Sequence, residues 1–63
     1  MQVDVKHNGY YLSDLQLAER FGVSRVTVWR WTRSCNFPMP VKLSPGTTRW
    51  RLSDILVWEA AQL

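Results

Sequence analysis

The stretch Ser24-Arg-Val-Thr-Val-Trp-Arg-Trp-Thr-Arg-Ser-Cys35 decides the fold, because helical spacing divides it into two different faces. One face is apolar, with residues at i, i+3, i+4 and i+7, namely Val28, Trp31, Thr32 and Cys35. The other face has the same spacing and no acid, and carries Val26, Trp29, Arg30 and Arg33. Such a face suits the phosphates, guanine edges and thymine methyls of the DNA major groove. We therefore expect Trp31 to be buried and Trp29 to be largely exposed; an ordinary amphipathic helix with a basic outer face is the alternative.

A first helix is predicted over residues 10–21, and its start is marked by a capping box. Ser13 is the expected N-cap with Gln16 three residues later, and Leu12 and Leu17 are placed as a hydrophobic staple. The expected inner face consists of Leu15, Ala18 and Phe21, with Leu17 beside them. Gly22 ends this helix and Ser24 caps the next. Two helices joined by a tight glycine turn predict a helix-turn-helix, although some helical hairpins that bind nothing share the pattern.

The segment after the second helix is predicted to be extended and then to form a β-hairpin. Two prolines exclude a helix over residues 36–40, where Phe37 and Met39 are expected to pack beneath the second helix. Residues 41–43 and 48–50 alternate as strands around a turn at Pro45-Gly46. The expected inner residues are Val41, Leu43 and Trp50, and the expected outward residues are Lys42, Arg49 and Arg51. Such a hairpin is a wing that can contact DNA, or it only completes the core.

A last helix is predicted after the hairpin, with Ser53 as its N-cap and Leu52 and Val57 as its staple. Ile55 and Trp58 are expected to close the core from this helix. The predicted fold class is therefore mainly α with a small β-hairpin, a winged helix-turn-helix. We expect residues 1–63 to form one DNA-binding domain in which residues 1–9 are a flexible arm.

The composition limits which classes of function are possible for this chain. A chain of 63 residues buries only about 60% of the surface that its unfolded form exposes, and this sequence compensates with many aromatic residues. One cysteine and one histidine exclude an internal disulfide and argue against a metal site, so we expect no cofactor and no metal. The lone thiol and the lack of a signal peptide favour a reducing, cytoplasmic setting. No apolar run approaches transmembrane length.

The charge is unevenly distributed although the formal net charge is only +3. No acid occurs from Arg20 to Arg51, a window that holds Arg20, Arg25, Arg30, Arg33, Lys42, Arg49 and Arg51. A block of one sign inside a folded domain predicts a positive surface, for which double-stranded DNA is the expected partner. A membrane surface is the rival partner, and it is disfavoured because the apolar residues are already assigned to a core.

An enzyme is not predicted, because the chain has no clustered Ser-His-Asp set, no glycine-rich phosphate loop and no thiol beside a base. The serines at positions 13, 24 and 53 are all assigned as helix caps. We therefore name no catalytic residue. A protein-interaction adaptor with a basic face is the remaining alternative of another class, but it does not explain why the glycine turn, the second helix and the basic hairpin occur together.

These features resemble the AlpA-like phage and prophage regulators, which belong with the Xis-type excisionases in a wider winged-helix group that includes MerR-type DNA-binding domains. The resemblance covers residues 11–58 and rests on Tyr11-Leu-Ser-Asp-Leu15, Phe21-Gly-Val-Ser-Arg-Val-Thr-Val-Trp-Arg-Trp31, Phe37-Pro-Met-Pro-Val-Lys-Leu43 and Arg49-Trp-Arg-Leu-Ser-Asp-Ile55, with Trp58 after them. It implies a winged-helix protein without enzymatic activity that binds repeated sites near an attachment site or an integrase-gene promoter. The function that we expect from it is that of an excisionase, a recombination directionality factor that bends DNA at an attachment site. Transcriptional regulation of an integrase gene is the alternative, and some members of the family do both. The resemblance also implies a bacterial or phage-encoded protein associated with the nucleoid.

The resemblance also implies roles for single residues. Val26 falls where a residue faces bases, Arg30 at a base-contacting arginine and Arg33 at a further DNA-contacting arginine. Trp29 departs from the Xis-type pattern, which has a basic residue there, so the sequence preference should differ. The complete set of candidate DNA contacts is Ser24, Arg25, Val26, Thr27, Trp29, Arg30 and Arg33 in the second helix and Lys42, Thr47, Thr48, Arg49 and Arg51 in the wing. Expected partners besides DNA are a cognate integrase and other copies of the chain.

Overall fold

The computed structural model describes residues 10–34 and 36–62. These residues form, in chain order, β1 (Tyr11–Leu12), α1 (Asp14–Phe21), α2 (Arg25–Ser34), β2 (Val41–Ser44), β3 (Thr47–Arg51) and α3 (Leu52–Ala61). The strands make an antiparallel sheet in the order β1-β3-β2. With α1 and α2 as the helix pair and β2–β3 as the wing, the predicted winged helix-turn-helix is confirmed. The predicted arm over residues 1–9 lies outside the described residues, as does Cys35.

The capping box at the start of α1 is confirmed. The Gln16 backbone N–H donates to Ser13 Oγ at 3.1 Å, and the Ser13 N–H donates to Gln16 Oε1 at 2.9 Å. The predicted helix start at residue 10 is wrong, because the helix begins only after this cap. Tyr11 and Leu12 instead pair with Arg51 and Trp50 as β1. Their backbone groups, which no helix uses, are therefore bonded along the edge of β3.

The inner face of α1 differs from the predicted one. Leu17 and Ala18 are buried and Phe21 is half-buried, whereas Leu15 is exposed, so its assignment to the core is wrong. Leu17, Ala18 and Phe21 lie on one helical stripe, and Leu15 falls beside it. Gly22 ends the helix with a φ of 71°, and the backbone N–H groups of Gly22 and Val23 both donate to the Ala18 carbonyl. The predicted glycine turn is confirmed.

The α2 helix starts as predicted. Ser24 Oγ accepts the Thr27 backbone N–H at 3.2 Å, which satisfies one of the free donors in the first turn. Val28 is fully buried. Trp31 and Trp29 are both half-buried, so the predicted contrast between a buried and a largely exposed tryptophan is wrong.

The hairpin turn is confirmed at Pro45 and Gly46, where a φ of 80° at the glycine matches the third position of a type II turn. The strand register places Val41 opposite Arg49, with an irregularity between Lys42 and Ser44. Residues directly opposite each other project to the same face of a sheet.

This register changes the predicted inner set. Trp50 is fully buried as predicted, but Leu43 is exposed, and Val41 shares the face of Arg49 instead of that of Trp50. Only one of the three expected inner residues of the hairpin is therefore buried.

The core is small and combines aliphatic with aromatic side chains. Its buried members are Leu17, Ala18, Val28, Phe37, Trp50 and Ile55. The Trp50 indole donates to the Pro38 carbonyl at 3.0 Å, which fastens the extended 36–40 segment to β3. Phe37 is buried as predicted, but Met39 is 69% exposed and does not pack beneath α2.

Trp58 packs on this core as predicted. Its ring lies 4.9 Å from Phe37, 5.5 Å from Phe21 and 5.9 Å from Trp31, measured between centroids. The pairs with Phe37 and Phe21 are edge-to-face, an arrangement that adds stability beyond the burial of area. The aromatic cluster therefore ties α1, α2 and α3 together.

The α3 helix begins earlier than predicted. It starts at Leu52, its N-cap is Arg51 without a side-chain hydrogen bond, and Ser53 lies inside the first turn. The predicted Ser53 cap and the predicted staple are therefore wrong, and Val57 is 71% exposed. The pairing of Arg51 with Tyr11 keeps the backbone extended up to the helix, so no separate cap residue fits between strand and helix. Ile55 is fully buried, as predicted.

No helix formed by the described part of the chain has the length and apolar character needed to cross a membrane.

Candidate nucleic-acid interface

The exposed side of α2 carries one apolar residue and two arginines. Val26 is 65% exposed, and Arg30 and Arg33 are exposed at the following positions of the same stripe. Within residues 10–34 and 36–62, neither arginine has a carboxylate within 4 Å. The two guanidinium groups therefore present an unneutralised positive charge beside the Val26 methyl groups.

Trp29 lies at the edge of the exposed side of α2 and packs against neighbouring elements. Its indole N–H donates to Asp14 Oδ2 at 2.9 Å, and its ring packs against Trp50 with centroids 5.0 Å apart. Helical spacing groups Trp29 with the exposed arginines, but the first turn of α1 and the last part of β3 cover this flank of α2. Helical periodicity does not predict this contact, since both elements are distant from Trp29 along the chain.

The first turn of α2 is tied to its own cap. Ser24 Oγ and Thr27 Oγ1 are 3.0 Å apart and share a hydrogen bond. Arg25 begins the helix with a side chain that is 61% exposed, and its Nε lies 4.0 Å from Asp14 Oδ2. Of these three residues, Arg25 is thus the one whose polar group is free to reach outward.

The wing does not present its three cations on one face. Arg49 and Arg51 alternate with Trp50 along β3 and share a face, whereas Lys42 lies opposite Thr48 and therefore shares the other. Lys42 and Arg51 are exposed, but Arg49 is half-buried and its Nη1 donates to the Thr48 carbonyl at 2.9 Å. Thr47 and Thr48 are half-buried too. The expectation that all three cations project outward together is wrong for Arg49.

The basic block of the sequence is partly neutralised in the fold. Arg20 makes two hydrogen bonds to Glu59, from Nε to Oε2 at 2.7 Å and from Nη2 to Oε1 at 3.0 Å. These bonds raise the pKa of Arg20 and lower the pKa of Glu59. Arg51 Nη1 lies 4.0 Å from Asp54 Oδ2.

Four basic residues of the described ranges have no close carboxylate. In the part of the chain that the structure describes, the cations without a carboxylate within 4 Å are Arg30, Arg33, Lys42 and Arg49. Within these ranges, the positive charge that has no carboxylate close by is therefore on α2 and the wing. Sequence reasoning missed the Arg20–Glu59 pair because its members are 39 positions apart.

Among residues 10–34 and 36–62, no three or more His, Cys, Asp or Glu side chains are grouped so that they could hold a metal ion.

A protein-family model described as prophage CP4-57 regulatory protein (AlpA) matches residues 14–63. The chain belongs to the AlpA family. The match starts at the first residue of α1 and includes both helices of the helix-turn-helix, the wing and α3. The AlpA-like resemblance is thereby confirmed, and the protein is a DNA-binding regulator of the phage type. Searches of curated proteins and of solved structures gave no match.

Proposed function

We propose that this AlpA-family protein places α2 in the major groove of double-stranded DNA and rests the β2–β3 wing on neighbouring phosphates. The observation that carries the proposal is the exposed stripe of Val26, Arg30 and Arg33. It has both methyl groups and guanidinium groups with no carboxylate within 4 Å among residues 10–34 and 36–62. A stripe of this kind can contact thymine methyls and guanine edges as well as phosphate.

Within α2 we assign different roles to the two arginines. Arg30 lies in the middle of the helix, where it can donate two parallel hydrogen bonds to a guanine. Arg33 lies in the last turn, so it sits towards the rim of the groove and is suited to a phosphate. Ser24, Arg25 and Thr27 complete the contact set at the start of the helix, and Trp29 contributes at most the exposed edge of its ring.

The wing contributes affinity more than sequence preference. Its contact set is Lys42, Thr47, Thr48, Arg49 and Arg51. A lysine or arginine that neutralises a phosphate releases counterions and favours every sequence alike. The uncharged Pro45-Gly46 tip does not support a basic insertion into the minor groove.

The role that the family description supports is regulation of transcription, and we propose the promoter of an integrase gene as the target. The second candidate is an excision factor that bends DNA at an attachment site and contacts an integrase. One ten-residue recognition helix and one hairpin read only a few base pairs, so several copies are needed for selectivity in either role.

For either role we propose a free monomer that binds cooperatively to direct repeats about one helical turn apart. Bending the DNA between copies costs on the order of 1–6 kcal/mol, which added contacts must offset. Copies related by translation contact each other through two different patches, an arrangement that extends without closing.

The test is a DNase I footprint of the protein on the DNA that flanks its own gene, with Arg30→Ala as the control variant. Protection at a promoter that changes reporter output supports regulation, and protection at an attachment junction that raises excision in a plasmid assay supports the second candidate. Gel shifts on one and two tandem sites, with sedimentation of the free protein, test the assembly. Equal affinity for every DNA tested, or no binding, contradicts the proposed interface.

A further inference from the structure

One carboxylate oxygen at the start of α1 serves two residues of α2. Asp14 Oδ2 accepts the Trp29 indole N–H at 2.9 Å and lies 4.0 Å from Arg25 Nε. The Asp14 side chain is 30% exposed, while that of Arg25 is 61% exposed. The same oxygen thus faces the interior through Trp29 and the candidate DNA side through Arg25.

These two contacts differ in strength. The indole contact has hydrogen-bond length, is partly buried, and involves a ring that also packs on Trp50. The guanidinium contact is longer than a hydrogen bond and lies at the surface, where ion pairs are weak. Asp14 is therefore fixed in place by Trp29, whereas Arg25 is free to exchange its partner.

A fixed negative charge beside an exchangeable arginine has a consequence for DNA binding. Phosphate contacts supply most of the sequence-independent affinity of a DNA-binding protein. To reach a phosphate, Arg25 has to leave Asp14, and the attraction between these two side chains is then lost. Asp14 is itself held by the indole and does not move away.

We propose that Asp14 is a positioning residue that competes with the DNA backbone for Arg25 and so limits the affinity of the protein for any duplex. This inference rests on the proposed function, since it requires α2 to face DNA. The proposal means that an acidic residue of α1, and not only basic residues of α2 and the wing, determines the affinity for DNA. Because the competition concerns phosphate, it affects all sequences by the same factor.

The deciding variant is Asp14→Asn, which removes the charge and keeps an oxygen that can accept the Trp29 N–H. We expect its affinity for a random-sequence duplex and for the footprinted site to rise equally, by about two- to fivefold at low salt, the size of an exposed ion pair. The gain should shrink as salt is added, since surface charges are screened. Glu19→Gln is the matched control, because it removes the same charge from an exposed position of α1.

A double-mutant cycle shows whether the effect passes through Arg25. In an Arg25→Gln background we expect Asp14→Asn to give no gain beyond that of Glu19→Gln. A gain that persists without Arg25, or one equal to that of Glu19→Gln in the wild-type background, overturns the inference. Weaker binding of Asp14→Asn together with a lower unfolding temperature also overturns it, since Asp14 would then only support the fold.

Failure of the inference and failure of the proposed function give different results. If Arg30→Ala still weakens binding to the footprinted site while Asp14→Asn changes nothing, only the role of Asp14 is wrong. If neither variant alters binding to any duplex, α2 does not face DNA, and both proposals are wrong.

Discussion

Arg20 and Glu59 join the helix-turn-helix to α3 by a two-point ion pair, with Nε–Oε2 and Nη2–Oε1 distances of 2.7 and 3.0 Å. The pair spans from the last turn of α1 to the last turn of α3. It removes Arg20 from the positive charge available to DNA and fixes the two helix ends to each other. Both side chains are about one-third exposed, with values of 37% and 31%, so the pair is a surface interaction of modest strength.

The first prediction is that Glu59→Gln lowers the free energy of unfolding at pH 7 by at most about 1 kcal/mol. Arg20 holds the pKa of Glu59 below its ordinary value, so the stabilisation is present above the unfolded-state pKa of about 4.3 and is lost as the pH falls through the lower folded-state pKa. Urea unfolding of both proteins at several pH values should therefore show the difference vanish in acid. A difference that stays constant into acid would show that packing, and not charge, is lost. Glu19→Gln serves as the control.

The second prediction concerns Trp29. Trp29→Ala should lower the free energy of unfolding by about 3 kcal/mol, the lower end of the range for a large aromatic, because the ring packs on Trp50. Trp29→Phe keeps a ring but loses the hydrogen bond to Asp14, at a cost of about 1 kcal/mol. Val26→Ala, on the exposed stripe of the same helix, should change stability by less than about 0.5 kcal/mol. Thermal unfolding measures all three, and a Trp29→Ala protein as stable as Val26→Ala would contradict the supporting role.

Features that depend on neighbouring residues could be predicted from the sequence. The Ser13 capping box, the Gly22 turn and the Pro45-Gly46 turn each follow from backbone preferences within a few positions, and all three are confirmed. The exposed arginines of α2 follow from helical periodicity in the same way. These local signals were sufficient for the helix-turn-helix and its wing.

Features that depend on pairing between distant segments could not be predicted. The two-residue strand β1 exists only because β3 offers it an edge, and that pairing also moves the start of α3 to Leu52. Trp29 is covered by α1 and β3. Helical periodicity within α2 does not encode where these two elements lie. The sequence therefore indicated that the exposed side of α2 carries positive charge, but not that Trp29 is packed against the elements beside it.

The third prediction separates base reading from phosphate contact within α2. Arg30→Ala should cost about 1–3 kcal/mol at the footprinted site and relax the preference at one base pair. Arg33→Ala should weaken footprinted and random duplexes by a similar factor. Competition binding against a set of single-base-pair variants measures both effects. An Arg30→Ala protein that loses the same affinity for every duplex would assign Arg30 to phosphate.

The last prediction concerns the wing and uses salt dependence. If about five phosphates are engaged in total, log K should fall with log salt at a slope near −4.5, and loss of one phosphate contact should reduce that slope by about one unit. We expect Lys42→Gln and Arg51→Gln each to give this change without altering the preferred sequence, because both side chains are exposed. Arg49→Gln should change the slope less, since Arg49 is half-buried and bonded to the Thr48 carbonyl.

Arg20→Gln is the matched control for the wing variants, because its guanidinium is already paired with Glu59 and its loss should leave the slope unchanged. The strand register adds a further distinction, since Lys42 lies on the opposite face from Arg49 and Arg51. If the hairpin contacts the DNA backbone with one edge, both of its faces lie near phosphates. Lys42→Gln and Arg51→Gln then reduce the salt-dependence slope equally. If the hairpin instead lies flat on the DNA backbone, only one of the two substitutions reduces the slope. If the salt-dependence slope is unchanged in all three wing variants, the hairpin does not contact phosphate and only completes the core.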